Sequence, residues 1–168
     1  MRLVILGAGG YGKTVCDIAE QSGKYREIVF LDDNSTFAIG KCSDYKKFID
    51  DDSEFYPAFG NNDTRIKFID EIENCGGRIA TIVHSTAYVS PKAKVCKGVA
   101  ILPMVVVNTG TILEKGVLVN ASSVIDHDCI IGKGAHICIG ALIKAENKIP
   151  EKMKIEAGEV IENRKYPL

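Results

Sequence analysis

One histidine of the chain has the neighbours that acid–base chemistry requires. His127 stands between Asp126 and Asp128, and carboxylates on both sides favour and orient an imidazole that can accept a proton near neutral pH. The other two histidines, His84 and His136, lack acidic neighbours. The three histidines are spread along the chain without other ligand residues in a suitable pattern, so no metal site is predicted.

A second candidate is the glycine-rich stretch GAGGYGKT at residues 7–14. As GxGxxG it matches a dinucleotide-binding fingerprint, with Asp32 lying twenty residues after Gly12. As GxxxxGKT it matches a phosphate-binding P-loop, and the segment 28–32 could serve as its second motif. Both patterns predict the same local physics, in which backbone N–H groups and a helix N-terminus contact a phosphate.

The elements around this glycine loop alternate between strand and helix. The hydrophobic pattern predicts strands at 2–6, 27–31, 56–59 and 79–83 and helices at 13–21, 43–49 and 65–74. This order predicts a small Rossmann-like domain with a parallel sheet over residues 1–82. About 80 residues are too few for a complete P-loop NTPase or a two-lobed dinucleotide fold. A nucleotide-linked substrate is therefore favoured, with NAD, ATP and a purely structural glycine turn as alternatives.

The second half of the chain repeats every six residues. An aliphatic residue occupies each sixth position without interruption: Val83, Val89, Val95, Ile101, Val107, Leu113, Val119, Ile125, Ile131, Ile137, Ile143, Ile149, Ile155 and Ile161. This period predicts a parallel β-helix over residues 83–168, with three hexapeptides in each triangular coil. Small residues four positions later permit the corners, whereas Asn147, Met153 and Glu159 predict less regular final coils. His127 falls on an outward corner.

Composition excludes several other classes of function. The net charge of −1 gives no electrostatic reason to expect nucleic acid as a partner. No apolar run approaches the roughly 20 residues of a membrane span, and the glycine-rich start does not resemble a signal peptide. Six cysteines without a CxxC spacing indicate free thiols. A cytoplasmic protein is expected.

With these motifs in order, the sequence resembles the bacterial sugar O- and N-acetyltransferases, typified by sialic acid O-acetyltransferase and the enzymes that acetylate UDP-linked 4-amino sugars. The stretches that carry the resemblance are residues 7–13, 31–33, 60–62 with Arg65, 83–87, 120–129 and 136–141. They extend over nearly the whole chain.

The resemblance implies a left-handed β-helix, acetyl-CoA as the acetyl donor, and a homotrimer with active sites between adjacent subunits. The acceptor would be an amino or hydroxyl group of a nucleotide-linked or sialic-acid-like sugar in surface polysaccharide synthesis. His127 would be the general base and Asp128 its orienting partner, while His136 would lie beside the donor or the sugar. One coil of 18 residues would place Ala145 near His127, with its N–H donating to the thioester oxygen. The acceptor nucleotide would contact a set of loop residues: Gly7, Gly9, Gly10, Tyr11, Gly12, Lys13, Asp32, Asp33, Gly60 and Asn61.

Two features depart from the family pattern. Tyr11 stands where the family usually has histidine, and the residues after His127 make fewer coils than the family usually carries. A non-catalytic sugar-nucleotide-binding or assembly subunit that has lost the acetyl-CoA site is therefore the alternative from another functional class. The intact sequence Asp126-His127-Asp128 argues against it.

Overall fold

The computed structural model describes residues 1–168, which form two units, Met1–Ala80 and Thr81–Leu168. The elements of the first unit are β1 (Arg2–Leu6), α1 (Gly10–Ser22), β2 (Glu27–Leu31), a 3₁₀ helix (Cys42–Phe48), β3 (Ser53–Pro57), α2 (Asn62–Asn74) and β4 (Arg78–Ile79). The four strands form a parallel sheet with the order β2-β1-β3-β4. Each α-helix connects two parallel strands, as the predicted Rossmann-like arrangement requires.

The apolar pattern of the first unit explains its layers. Strand β1 is central and buried from Leu3 to Leu6, because parallel sheets are covered on both faces. Helix α1 buries Val15 and Ile18 on one side, and α2 buries Ile66, Ile69 and Ile72. Gly23 ends α1 with a left-handed φ of 63°. Neither helix has the length and hydropathy that a transmembrane segment requires.

The second unit is a left-handed parallel β-helix of two-residue strands. Its strands are Ile82–Val83 (β5), Tyr88–Val89 (β6), Lys94–Val95 (β7), Ala100–Ile101 (β8), Val106–Val107 (β9), Ile112–Leu113 (β10), Leu118–Val119 (β11), Val124–Ile125 (β12), Ile130–Ile131 (β13), His136–Ile137 (β14), Leu142–Ile143 (β15), Lys148–Ile149 (β16), Lys154–Ile155 (β17) and Val160–Ile161 (β18). Every third strand pairs, which produces three sheets: β5-β8-β11-β14-β17, β6-β9-β12-β15-β18 and β7-β10-β13-β16. We call these faces one, two and three.

The predicted six-residue period accounts for the core of the second unit. From Ile101 to Ile161 every residue of the aliphatic series is at most 1% exposed. The small residues Thr111, Ser123, Cys129, Ala135 and Ala141 are fully buried between them. Each corner from 98 to 164 has a left-handed residue three positions after the aliphatic one, which is glycine at six corners and at the others Met104, Ser122, Asp128, Glu146, Lys152 and Arg164.

The predicted strand at 79–83 and the predicted irregularity of the final coils are wrong. The predicted single strand 79–83 is two strands, because Ile79 pairs with Phe55 in the first unit whereas Ile82 pairs with Ala100 in the second. The final coils are also regular, since β16, β17 and β18 all continue their sheets. Asn147 is fully buried at its corner, and its side-chain amide donates to the Lys144 and Glu162 carbonyls at 2.8 and 2.9 Å. A side chain that fills the corner and satisfies its carbonyls replaces the small residue there.

Candidate active site

His127 and Asp128 form a hydrogen-bonded pair at the corner between faces two and three. The corner follows strand β12, and the two side chains are 47% and 57% exposed. His127 Nδ1 lies 2.8 Å from Asp128 Oδ2. Because a carboxylate accepts hydrogen bonds, Nδ1 carries the proton in this arrangement and Nε2 is left to accept one.

The surroundings of His127 favour its protonated form. The hydrogen bond to Asp128 raises the pKa of His127, and the charges of Asp126, Asp128 and Glu146 raise it further. Partial removal of the imidazole from water acts in the opposite direction and is outweighed. The arrangement therefore strengthens His127 as a proton acceptor.

Asp126 is held by the coil below it rather than by the imidazole. Its Oδ1 accepts from Asn108 Nδ2 at 3.1 Å and from the His127 backbone N–H at 2.8 Å. The His127 N–H and the Asn108 amide lower the pKa of Asp126, so this carboxylate stays ionised. Thr111 Oγ1 donates to the Asp126 carbonyl at 2.8 Å and fixes the backbone of the corner.

The next coil places Ala145 and Glu146 above the pair. Glu146 N–H donates to the His127 carbonyl at 3.2 Å, and Lys144 N–H donates to the Ile161 carbonyl at 3.0 Å. The Ala145 N–H between them takes part in neither of these coil-to-coil hydrogen bonds. Glu146 is also paired with Arg164, so its charge is partly neutralised.

His136 lies on a different side of the β-helix from His127. It lies on the side of face one away from the core, with Leu118 and Lys154 as its neighbours on adjacent strands, and both of its ring nitrogens are buried. A corner between faces two and three is opposite face one in a triangular coil. The two histidines are therefore not brought together within one chain.

In the first unit the predicted substrate-binding residues share one edge of the sheet. The glycine loop follows β1, Asp32 and Asp33 follow β2, and Gly60 and Asn61 follow β3. Because the three strands are parallel and adjacent, their carboxyl ends lie at the same edge, which is where open α/β sheets bind ligands.

The carboxylate of Asp32 already accepts hydrogen bonds from backbone N–H groups at this edge. Its Oδ2 accepts from the Ala8 N–H at 2.8 Å, and its Oδ1 accepts from the Asn34 and Ser35 N–H groups at 2.8 and 2.9 Å. The bonds from Ala8 and Asn34 are the largest causes that lower the pKa of Asp32. A fingerprint acid would use this carboxylate on a ribose, so its present bonds weigh against the NAD alternative. Asp33 is exposed.

The glycines of the loop differ in what surrounds them. A methyl group on Gly12 would overlap the Gly7 carbonyl, so glycine is needed there for helix α1 to approach β1. The same addition at Gly9 or Gly10 would meet nothing within 4 Å. Gly9 caps α1 without a side-chain hydrogen bond, so no side chain of the N-cap satisfies the N–H groups of the first turn.

Tyr11 and Asn61 have structural partners in the same unit. The Tyr11 and Tyr56 hydroxyls are 2.5 Å apart, and their rings meet edge to face at 6.2 Å. Asn61 caps α2 by accepting from the Thr64 N–H at 2.9 Å. Arg65 is fully buried, and its guanidinium donates to the Phe59 carbonyl at 2.9 Å.

Sequence reasoning missed the residues that support the histidine corner from the preceding coil. Asn108 contacts Asp126, Thr111 contacts the backbone of the corner, and Gly110 lies next to Asp128. The signal was available, because Asn108 and Asp126 are one coil of 18 residues apart, as are Gly110 and Asp128.

Comparison with known proteins agrees with this architecture. The family model described as the PglD N-terminal domain matches residues 2–72. A GDP-perosamine N-acetyltransferase of Escherichia coli O157:H7 is 28% identical over 174 residues, which cover 94% of this chain and 76% of that protein.

Solved structures extend the likeness over both units. The acetyltransferase domain of PglB from Neisseria gonorrhoeae FA1090 is 32% identical with a TM-score of 0.94, covering 97% of this chain and 83% of that one. The same domain in complex with acetyl coenzyme A matches with a TM-score of 0.92 at 32% identity, covering 97% and 82%. The chain therefore belongs to the family of acetyl-CoA-dependent bacterial sugar N-acetyltransferases.

Proposed function

We propose that this protein transfers the acetyl group of acetyl-CoA to the amino group of a nucleotide-linked sugar, with His127 as the general base. The observation that carries the proposal is the His127–Asp128 pair, which presents Nε2 of an exposed imidazole whose pKa is raised by the hydrogen bond to Asp128. The likeness to a sugar N-acetyltransferase and to a domain solved with acetyl coenzyme A supports this substrate class.

His127 performs the proton transfer in this proposal. Nε2 accepts a proton from the acceptor amine as the nitrogen forms its bond to the acetyl carbon. The carbon–sulfur bond then breaks, and coenzyme A leaves as a thiolate that takes the proton back from Nε2. Asp128 holds Nδ1–H and stabilises the imidazolium that results. Bound acetyl-CoA supplies the thioester carbonyl that makes the amine's attack favourable.

Ala145 is proposed to contact the donor. Its N–H lies one coil above His127 and is not used in the neighbouring coil-to-coil hydrogen bonds. A backbone donor fixed in this way can stabilise negative charge on the thioester oxygen without reorganising. Ala145 is itself buried in the coil, with 2% of its surface exposed.

The acceptor nucleotide is proposed to bind the carboxyl edge of the sheet in the first unit. Gly9 and Gly10 leave space beside the uncapped first turn of α1, which suits a diphosphate. Lys13 lies in the first turns of α1, and the exposed Asp33 follows β2 at the same edge of the sheet. Asp32, Gly12 and Asn61 would act there by shaping the loops.

A cytoplasmic location stays a prediction.

A homotrimer is proposed from the outward side of face two. The outward residue of every strand on this face is apolar, and together they form a ladder in register: Tyr88, Val106, Val124, Leu142 and Val160. All five are at least partly exposed in the single chain. A continuous apolar ladder of this kind indicates a covered surface.

The positions of the histidines agree with an active site between subunits. His127 borders the apolar ladder, whereas His136 lies on the opposite side of the same chain. If both serve one reaction, His136 must come from a neighbouring copy, and a cyclic trimer of triangular coils brings such surfaces together.

The test is an acetyl-transfer assay with acetyl-CoA and GDP- or UDP-linked 4-amino sugars, in which the release of free thiol is measured. We expect saturable transfer to the amino sugar and none to the matching 4-hydroxy sugar. Transfer to the hydroxyl sugar alone would overturn the amine assignment. Binding of the nucleotide sugar without binding of acetyl-CoA at millimolar concentration would favour the non-catalytic alternative.

A further inference from the structure

Gly110 lies directly beneath the carboxylate of Asp128. The two residues occupy the same corner of successive coils, 18 positions apart, and both have left-handed backbone angles, with φ of 73° and 56°. The Asp128 N–H donates to the Thr109 carbonyl at 3.0 Å, which fixes the separation of the two corners.

The side chain of Asp128 occupies the space that any side chain at position 110 would fill. A methyl group on Gly110 would overlap Asp128 Oδ1 and would lie 3.2 Å from its Cγ. The other carboxylate oxygen, Oδ2, is the one that accepts from His127 Nδ1 at 2.8 Å. Oδ1 of Asp128 therefore lies against Gly110, while Oδ2 accepts the hydrogen bond from the imidazole.

The backbone angle alone does not explain glycine at this position. Equivalent corners carry Met104, Ser122, Glu146 and Lys152 with φ between 56° and 60°. The β-helix thus accepts side chains at left-handed corners, although such angles cost a non-glycine residue roughly 1 kcal/mol. What distinguishes Gly110 is the carboxylate above it.

We propose that Gly110 is a positioning residue for the acetyl transfer, because its missing side chain lets the Asp128 carboxylate lie against His127. This inference rests on the proposed role of His127. A side chain at position 110 would turn the carboxylate away, and the imidazole would lose the group that fixes its tautomer and direction.

The other charged groups around His127 do not replace Asp128. Asp126 accepts from Asn108 and from the His127 backbone, while its carboxylate makes no bond to the imidazole. Glu146 pairs with Arg164, and Lys144 pairs with Glu162. Asp128 is the carboxylate in direct contact with the ring, so its displacement should weaken the base.

The experiment compares Gly110→Ala with the matched control Gly158→Ala in the full chain. Gly158 occupies the equivalent position of its hexapeptide on a different corner, with φ of 69°, and a methyl group there would meet nothing within 4 Å. The pKa of His127 is measured by NMR titration, together with kcat and the KM for both substrates. We expect Gly110→Ala to lower the pKa of His127 and to reduce kcat about tenfold, with each KM within about twofold. Gly158→Ala should leave all of these unchanged.

A second comparison keeps the inference testable if Gly110→Ala folds poorly. Thermal unfolding is measured for Gly110→Ala in the wild-type and Asp128→Ala backgrounds. We expect the penalty of Gly110→Ala to fall to that of Gly158→Ala once the Asp128 side chain is removed. An unchanged His127 pKa in folded Gly110→Ala, or an equal penalty in both backgrounds, would overturn the positioning role. A failed proposal for His127 would appear separately, as full turnover in His127→Ala despite a shifted titration in Gly110→Ala.

Discussion

The glycine loop and the histidine corner are built in opposite ways. In the loop region the polar side chains form hydrogen bonds within the unit. Asp32 accepts hydrogen bonds from three backbone N–H groups, and the Tyr11 hydroxyl forms one with the Tyr56 hydroxyl. The surface left open there is backbone at Gly9 and Gly10. At the corner the backbone is occupied by coil-to-coil hydrogen bonds, and the His127 side chain is what remains exposed.

This difference separates binding from chemistry. Backbone amides have no titratable proton to give or take, so the loop can recognise a ligand but cannot move a proton. The imidazole at the corner can do so near neutral pH. Substitutions that fill the open space at Gly9 or Gly10 should therefore raise the KM for the acceptor, and those of the internally bonded loop side chains should change stability. Substitutions at the corner should instead change kcat and its pH dependence.

The largest effect is expected from His127→Ala. Removing the base should reduce kcat by roughly 10²- to 10⁴-fold, the usual contribution of a positioned general base. Acetyl-CoA affinity, measured by calorimetry, should stay within about threefold. His84→Ala is the control, because His84 Nδ1 is bonded to Thr86 and lies outside the corner. Wild-type kcat in His127→Ala would end the assignment of chemistry to the corner.

Asp128→Asn should produce the next largest change. Loss of the carboxylate removes the main cause that raises the pKa of His127. Because the base must be neutral, kcat/KM of the wild type should fall as pH drops through this raised pKa. In the variant the acid limb should move to lower pH, and the plateau should drop by about tenfold or more. An acid limb that stays in place would mean that another group controls it.

A substitution in the loop should act on stability instead. In Asp32→Asn the amide cannot accept all three N–H groups, so the unfolding free energy should decrease by about 1–3 kcal/mol at neutral pH. The folded-state pKa of Asp32 lies below its ordinary value of 3.8, so the wild-type advantage is present above that value and disappears as pH falls through the lowered pKa. Denaturation at several pH values measures this. Exposed Asp51→Asn should change little, and equal losses in both variants would contradict the loop-shaping role.

The repeat made the β-helix and its corners predictable, because each inward position of a coil accepts only an aliphatic residue. The predicted single strand at 79–83 is wrong, since the run divides between two units according to its pairing partners, which its composition does not show. Helix α1 begins at Gly10 rather than at Lys13, because the glycines that lower helix propensity are the ones the loop requires. The partners of the histidine corner come from the preceding coil. Asn108 and Gly110 can therefore be identified from the sequence only when it is aligned with itself at a spacing of 18 residues.

The smallest expected effect tests whether Tyr11 belongs to the loop's internal structure or to its ligand. Burial raises the pKa of Tyr56 to about 12 and that of Tyr11 well above its ordinary value, so both phenols are neutral. Tyr11→Phe should cost about 1 kcal/mol of unfolding free energy, as for a neutral hydrogen bond. Tyr56→Phe should cost the same, and the double variant should cost less than the sum of the two. Both single variants should leave the KM for the acceptor unchanged. A raised KM for the acceptor in Tyr11→Phe alone would mean that the Tyr11 hydroxyl contacts the acceptor. The loop would then bind its ligand through a side chain as well as through its backbone.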